Sequence, residues 1–162
     1  MDRRLFMYLW GISEKSGIVR AASVFISRVS RQVFFVLYAA AGVYLLYIDY
    51  TRLLPFLIIP FTLLFITLFL RKKIKRPRPY TELGITPLEA AKDKSSCPSN
   101  HATSSCVISA ACMYVCVPLG AVMFFCTALT GLSRVFSGAH YPGDIGFGWA
   151  LGLIFGSAFL FL

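Results

Sequence analysis

The chain has little acidic charge, few histidines and no paired metal-binding cysteines. Among its 162 residues only seven are Asp or Glu and two are His. The acids are scattered along the chain, so the clustered carboxylates that a magnesium site needs are missing. The five cysteines show no zinc-binding spacing with either histidine. We therefore expect a protein that works without a metal or other cofactor, in which the cysteines are small apolar packing residues.

Apolar residues, in contrast, are abundant. They make up 57% of the chain, and the mean hydropathy is +0.72, above the usual range for a soluble domain. Several apolar runs approach the ~20 residues that cross the hydrocarbon core of a bilayer. The formal net charge is +9, but no nucleic-acid-binding motif accompanies it. The composition favours a membrane protein whose basic residues face anionic headgroups and phosphate, with no nucleic acid as a partner.

The apolar runs predict an all-α fold, a polytopic transmembrane helix bundle of about five spans in a single domain, residues 1–162. The predicted spans are residues 32–48, 53–70, 102–117, 121–132 and 144–162. We assign the turn between the third and fourth spans to Pro118–Gly120. The last span repeats glycine at every fourth position, which favours close helix packing. These glycines are Gly148, Gly152 and Gly156.

The first 31 residues differ from the rest because charged residues interrupt them. Serine and arginine recur there at helical spacing and form one polar stripe, made of Ser16, Arg20, Ser23, Ser27 and Arg31. We therefore predict that residues 3–31 form a basic amphipathic helix in the membrane interface, anchored by Tyr8 and Trp10. The alternative is a helix packed against the bundle, residues 32–162, with its polar stripe in water.

A polar connection, residues 80–97, joins the second and third spans. Within it, Thr86-Pro87-Leu88-Glu89 has the form of a capping box with proline at the first helical position. We expect one or two helical turns from this point to about Lys92. Beside a charged site, such a segment is either a lid or a simple connector.

The densest set of chemically active side chains lies between the last two spans. Arg134 offers a fixed fork of donors for an oxyanion, and His140 titrates near neutral pH and can act as nucleophile or base. Asp144 follows His140 by one helical turn, where it can accept the proton on the far ring nitrogen. Ser133 adds a hydroxyl group. Together these groups are suited to handling a phosphate.

Two other segments complete this set. The second histidine, His101, follows Pro98-Ser99-Asn100 at the start of the third span, where a helix N-terminus favours anions. A basic run, Arg71 to Pro79, closes the second span. With about five spans, these segments and residues 133–144 fall on the same side of the membrane. We therefore expect them to form one phosphate site.

These segments resemble the three signature motifs of the type 2 phosphatidic acid phosphatase superfamily, over roughly residues 54–162. The third family motif is matched at every fixed position, by Ser133, Arg134, His140 and Asp144. The first two motifs match in order and placement, at the end of one span and the start of the next. The resemblance is therefore specific.

Two positions depart from the family pattern. Arg71 stands where the first motif has lysine, ahead of Arg78 and Pro79, and the neighbouring Lys72 is the alternative for that role. In the second motif Asn100 replaces a glycine. If the position needs a positive φ, Asn is among the least costly substitutes. If the glycine serves close approach of the backbone to phosphate, we expect a slightly rearranged site.

The resemblance implies a metal-independent phosphatase with a covalent intermediate. His140 is then the nucleophile that forms a phosphohistidine, Asp144 holds its ring, and His101 protonates the leaving oxygen. The implied phosphate ligands are Arg71 or Lys72, Arg78, Ser99, Asn100 and Arg134. A cluster of cations supplies the charge stabilisation that phosphoryl transfer needs.

The implied substrate is a lipid phosphate within the membrane. Candidates are undecaprenyl diphosphate, phosphatidylglycerophosphate, phosphatidic acid and the 1-phosphate of lipid A. The compact chain resembles bacterial members, so we expect a multi-pass protein of the bacterial cytoplasmic membrane. Two alternatives stay open: a phosphotransferase that passes the phosphoryl group to another acceptor, and a phospholipid-binding protein without turnover.

The basic residues bear on which way the site faces. Of the 16 Lys and Arg residues, all except Arg52 fall on the side of the predicted site. The positive-inside rule would make that side cytoplasmic. Many bacterial members of the family instead place the site on the outer face, so both orientations are compatible with the sequence.

Overall fold

The computed structural model describes residues 1–90 and 94–162. Over these residues the chain forms the helices α1 (Asp2–Lys15), α2 (Gly17–Ile48), α3 (Leu53–Ile74), α4 (Pro79–Leu83), α5 (Asn100–Val115), α6 (Val117–Phe136) and α7 (Pro142–Gly156). Two short 3-10 helices, Tyr50–Arg52 and Ser157–Phe161, precede α3 and follow α7. The predicted all-α fold is confirmed.

Four helical stretches in the described part of the chain are long and apolar enough to cross a membrane. They are Gly17–Ile48, Tyr50–Leu83, Val117–Phe136 and Pro142–Phe161. The shorter helix α5, with 16 residues, packs against α2, α3, α6 and α7. The bundle therefore has α5 at its centre and agrees with the predicted arrangement of about five spans.

The repeated glycines of α7 form the predicted close-packing face, and this face lies against α5. A Cβ on Gly152 would lie 2.5 Å from Cβ of Cys106, and one on Gly156 would lie 2.6 Å from Cβ of Ala110. Gly148 likewise faces Thr103. Because any side chain here would force the helices apart, the glycines set the distance between α5 and α7.

The turn between α5 and α6 lies at Cys116, so its predicted position at Pro118–Gly120 is wrong. Cys116 has an extended backbone and separates two helices. Pro118 falls in the first turn of α6, where a missing N–H costs no helical hydrogen bond. A Cβ on Gly120 would lie 2.2 Å from Cβ of Met113. Gly120 therefore allows the two helices to approach and does not form the turn.

The amino-terminal segment is two helices, and the predicted single helix over residues 3–31 is interrupted. Ser16 caps α2, where its hydroxyl accepts the backbone N–H of Val19 at 3.3 Å. From Gly17 the helix continues to Ile48, a length of about 48 Å at 1.5 Å per residue. The predicted boundary between an interfacial helix and the first span therefore lies inside one continuous helix, whose amino-terminal part reaches past the apolar core.

The serines and the arginines of the polar stripe on α2 face different ways. Ser23 and Ser27 are buried against the protein, while Arg20 and Arg31 are exposed. Ser27 forms hydrogen bonds with the side chains of Glu89 and Arg134, described below. Charged groups in the interior need such polar partners, which explains why these serines turn inward.

The helix α1 packs across the end of the bundle. Phe6 and Trp10 are almost fully buried in a cluster with Val135 and Tyr141. A Cβ on Gly138 would lie 2.9 Å from the Trp10 ring. Trp10 is therefore a packing residue, and its predicted role as a headgroup anchor is wrong. Tyr8, the other predicted anchor, is exposed.

The predicted helical turns after Thr86 are absent from residues 86–90, and their end at Lys92 lies outside the described residues. The helix in this connection is α4, which begins at Pro79 and ends before Gly84, a glycine with φ of 66°. Glu89 does not cap a helix because its carboxylate contacts side chains of α2 and α6 instead. The tertiary contacts of Glu89 override its local capping pattern.

Candidate active site

The three predicted motif segments meet at one end of the bundle, where α3 and α6 end and α5 and α7 begin. There they enclose a cavity of about 530 Å³. Its walls are formed by Ser27, Arg28, Arg31, Arg71, Arg78, Leu88, Glu89, Ala90, Asn100, His101, Arg134 and His140. The cavity is strongly cationic, since five of these twelve residues are arginines.

His140 is buried in the turn between α6 and α7, with 2% of its surface exposed. Its Nε2 lies 3.2 Å from Nη1 of Arg78. Because a guanidinium only donates, Nε2 is the acceptor and the ring proton resides on Nδ1. Burial lowers the pKa of His140 to about 4, aided by the charges of Arg78 and Arg134 and opposed by Asp144. The imidazole is therefore neutral at pH 7, the state in which it can act as a nucleophile.

Asp144 lies behind the His140 ring and is fully buried. Its Oδ2 lies 3.8 Å from Nδ1 of His140 and accepts the backbone N–H of Tyr141 at 2.9 Å. Its Oδ1 accepts a hydrogen bond of 2.8 Å from Nη1 of Arg76. At 3.8 Å, the contact between Asp144 and His140 is electrostatic and longer than a hydrogen bond. Asp144 and His140 are thus neighbours, as predicted, but the hydrogen bonds to the carboxylate come from Arg76 and Tyr141.

Arg134 extends from the last turn of α6 into the cavity wall. Its Nη1 donates to the hydroxyl of Ser27 and to Oε2 of Glu89, the latter at 3.1 Å. Glu89 also accepts from Nε of Arg28 at 2.9 Å and from the Ser27 hydroxyl. Arg134 of the third motif is therefore paired with the carboxylate of Glu89.

The two remaining arginines of the first motif hold backbone carbonyls beside the cavity. Arg71 is buried and donates to the carbonyl oxygens of Ser95 and Pro98. Arg78 is also buried and donates to the carbonyl oxygen of Ala139 at 2.9 Å. These bonds link the basic run to the segments before α5 and before His140.

Lys72, the alternative to Arg71, is exposed and lies outside the cavity wall. The two side chains leave α3 in different directions because they are consecutive residues of one helix. Arg71 is therefore the residue of this pair that reaches the candidate site.

The second motif forms the amino-terminal end of α5. The buried Ser99 caps the helix, its hydroxyl accepting the Ala102 N–H at 3.5 Å. Asn100 and His101 follow in the first turn and line the cavity. Among the described residues other than glycine, only Lys75 has a positive φ. Asn100 is therefore helical, and its presence at the glycine position does not reflect a left-handed backbone.

Several residues at this site were not predicted from motifs. Ser27, Arg28, Arg31 and Glu89 line the cavity, and Arg76 contacts the Asp144 carboxylate from behind. For Ser27 and Arg31 the sequence did contain a signal, because their helical spacing marked one polar face of α2. Ser133, which matches the third motif, instead donates back to a carbonyl of its own helix.

An apolar groove between α2, α5 and α6 adjoins the cationic cavity. Its volume is about 360 Å³, and three cavity residues, Arg31, Asn100 and His101, also line it. The rest of its wall is formed by Ser30, Phe34, Phe35, Tyr38, Ser104, Ser105, Ile108 and Thr130. The cationic cavity and the apolar groove thus form one continuous surface.

Comparison with known proteins identifies the family. The family model of the PAP2 superfamily matches residues 52–161, and the chain therefore belongs to this superfamily. The solved structure of Aquifex aeolicus LpxE is similar in fold, with a TM-score of 0.77 and 18% identity over 98% of this chain and 94% of that one. No curated protein matches the chain.

A second solved structure has the same fold. It is the first transmembrane PAP2 type phosphatidylglycerolphosphate phosphatase from Bacillus subtilis, with a TM-score of 0.74. Identity is 19%, over 98% of this chain and 82% of that one. With its apolar helices and its membrane PAP2 fold, the chain is an integral membrane protein.

Proposed function

We propose that this protein is a metal-independent lipid phosphatase that hydrolyses a lipid phosphomonoester or pyrophosphate through a phosphohistidine. The observation that carries the proposal is the neutral, buried His140 in a wall of arginines. Nε2 of this residue lies 3.2 Å from Nη1 of Arg78. A phosphoryl group that replaces this contact meets a nucleophile and a cation at the same point.

In the first step Nε2 of His140 forms a bond to phosphorus as the bond to the leaving oxygen of the lipid breaks. Asp144, behind the ring, stabilises the imidazolium that develops. Burial and the neighbouring arginines lower the pKa of His101 to about 3, so His101 takes up a proton as the anionic phosphate binds. It then gives this proton to the leaving oxygen, which departs as the lipid product. Arg71, Arg78 and Arg134 neutralise the phosphoryl oxygens, where charge-assisted hydrogen bonds are strongest. The amide of Asn100 and the capped end of α5 at Ser99 add donors.

In the second step water attacks the phosphorus of the phosphohistidine. The bond between phosphorus and Nε2 breaks, and the proton of the water returns to His101. The products are inorganic phosphate and the neutral imidazole of His140. His101 therefore regains in the second step the proton that it gave up in the first, and the other proton of the water stays on the phosphate.

The apolar groove supports a lipid as the substrate. A phosphate in the cavity would have its ester oxygen near Asn100 and His101, which also line the groove. A hydrocarbon chain attached to that oxygen would then lie along Phe34 and Tyr38, toward the bilayer. A soluble sugar or nucleotide phosphate would leave this apolar surface without a partner. The two solved structures of similar fold come from bacteria, which supports a bacterial cytoplasmic membrane as the location.

The test is the release of inorganic phosphate by the detergent-purified chain in the presence of EDTA. The substrates are undecaprenyl diphosphate, phosphatidylglycerophosphate, phosphatidic acid and lipid A, with a soluble sugar phosphate for comparison. We expect turnover of at least one lipid, and loss of that turnover in His140→Ala. The exposed Lys72→Ala variant is the matched control and should retain activity, since Lys72 lies outside the cavity.

Loss of activity in EDTA would contradict the metal-independent mechanism. Transfer of label from the lipid to another acceptor, without phosphate release, would identify a phosphotransferase. Binding of vanadate without turnover of any lipid would identify a binding protein. Each outcome is distinct from failed folding, which size-exclusion chromatography of the same sample detects.

A further inference from the structure

Arg76 joins two carboxylates at the back of the candidate site. Its Nη1 lies 2.8 Å from Oδ1 of Asp144, and its Nη2 lies 2.7 Å from Oδ2 of Asp2. Its guanidinium also covers the ring of Tyr141, 4.4 Å from the centroid. Arg76 belongs to the basic run but not to the fixed positions of the first motif, and it does not line the cavity.

The contact with Asp144 matters because that carboxylate is completely buried. Its Oδ1 is held by Arg76, while Oδ2 accepts the N–H of Tyr141 and lies 3.8 Å from His140. The arginine thus fixes which oxygen faces the imidazole. It also compensates a negative charge that would otherwise be costly in the interior.

We propose that Arg76 is a positioning residue for phosphoryl transfer, which holds Asp144 in the orientation that supports His140. This inference rests on the proposed function of His140 as the nucleophile. Arg76 touches neither the phosphate cavity nor the reacting atoms, so it acts through Asp144. A bidentate guanidinium suits this role because its planar fork binds both carboxylates in fixed directions.

The second carboxylate brings α1 into this arrangement. Oδ1 of Asp2 accepts the backbone N–H of Gly143 at 2.9 Å, at the start of α7. Arg76 therefore contacts Asp144 in the first turn of α7 and also Asp2 of α1, which itself binds that turn at Gly143. If the role of Arg76 is to dock α1, replacing Asp2 should lower kcat as much as replacing Arg76. If Arg76 acts through Asp144, replacing Asp2 should lower kcat much less.

The experiment compares Arg76→Gln, Arg76→Lys, Asp2→Asn, Asp144→Asn and the double variant Arg76→Gln/Asp144→Asn in the full chain. Lys73→Gln, which removes an exposed cation from the same run, is the control. For the lipid that the wild type hydrolyses, we expect Arg76→Gln to lower kcat about a hundredfold, the cost of a misplaced catalytic group. KM should change little, since the phosphate ligands are untouched. Arg76→Lys should recover part of the loss, and Asp2→Asn should lower kcat less than about threefold.

The double variant separates a role through Asp144 from an independent structural role. If Arg76 acts through Asp144, the double variant should have the same kcat as Asp144→Asn alone. A further loss as large as that of Arg76→Gln in the wild type would overturn the proposal. Equal losses in Arg76→Gln and Asp2→Asn, with equally lowered Tm, would also overturn it. If Arg76→Gln does not fold, the same cycle is made with Arg76→Lys.

A readout without turnover keeps this test separate from that of the proposed function. Diethyl pyrocarbonate modifies neutral imidazole, and peptide mass spectrometry resolves the two histidines of the chain. Without Arg76 the uncompensated charge of Asp144 favours the protonated form of His140. We therefore expect slower modification of His140 at about pH 6 in Arg76→Gln than in the wild type. Asp2→Asn should show no change, and His101 is the internal reference. Unchanged modification of His140 would overturn the role of Arg76 even if the wild type hydrolyses no lipid.

Discussion

The carboxylate of Glu89 lies 3.1 Å from the guanidinium of Arg134. Carboxylate and phosphate bind the arginine fork in the same way. Glu89 also contacts Arg28 and Ser27, so this carboxylate takes up donors that a phosphate entering the cavity would use. In the proposed mechanism, substrate binding must therefore displace Glu89 from Arg134.

Replacing Glu89 by Gln should strengthen phosphate binding. The neutral amide competes less well for Arg134 and does not repel the anion, so we expect vanadate inhibition constants and KM to fall about tenfold, or ~1.4 kcal/mol. Steady-state kinetics of phosphate release measures both. Glu14→Gln, at an exposed acid on α1, is the matched control and should leave them unchanged. Weaker vanadate binding in Glu89→Gln would show that Glu89 helps to position Arg134 for the substrate.

The low pKa of His140 should appear in the pH dependence of stability. Its pKa is about 4 in the folded protein and ~6.5 in an unfolded chain. Between these values the unfolded chain binds the additional proton, so stability falls as pH decreases from about 6.5 to about 4. Thermal unfolding in detergent across this range should therefore show a steeper loss of Tm in the wild type than in His140→Gln. Equal slopes would contradict a buried, neutral His140.

The glycines of α7 should differ sharply in their tolerance of alanine. Gly152→Ala places a Cβ 2.5 Å from that of Cys106. We therefore expect overpacking to lower the free energy of unfolding by about 1–3 kcal/mol. Gly146 lies in the same helix with no atom within 4 Å of an added Cβ. Gly146→Ala should be neutral or stabilising, because alanine favours the helix. Thermal unfolding of both variants measures the difference, and a similar effect at both positions would contradict the packing of α7 on α5.

Narrowing the apolar groove should raise KM for long-chain substrates alone. Ser104→Phe adds a large side chain to the groove wall, so KM for a long-chain lipid phosphate should rise about tenfold. KM for a short-chain, water-soluble phosphate ester should stay the same, because that substrate does not occupy the groove. Val122→Phe, at an exposed position of α6, is the control for added aromatic bulk. An equal rise in KM for both substrates would remove the groove from the substrate path.

The sequence predicted the parts of this fold that depend on helical spacing and composition. The glycine pattern of α7 and the convergence of His101, Arg134 and His140 were both accessible in this way. The turn at Cys116 was not, because Pro118 is compatible with either a turn or the first turn of a helix. Packing of Gly120 against Met113 decides between them, and a single sequence does not contain that contact.

The charged residues outside the motifs were the hardest to interpret. Arg76 lies within a basic run that is typical of a membrane-flanking segment, and its contacts with Asp2 and Asp144 span most of the chain. Glu89 fits a local capping pattern, yet its partners lie on α2 and α6. In both cases long-range ion pairs replace the local or solvent contacts that the sequence suggests.

Trapping the covalent intermediate tests the central claim most directly. The purified chain is mixed with a lipid labelled with ³²P in its phosphate, quenched in alkali, and digested for peptide mapping. The account predicts acid-labile label on the peptide that contains His140, and no label in His140→Ala. Phosphate release by the wild type without label at His140, together with activity in His140→Ala, would contradict it.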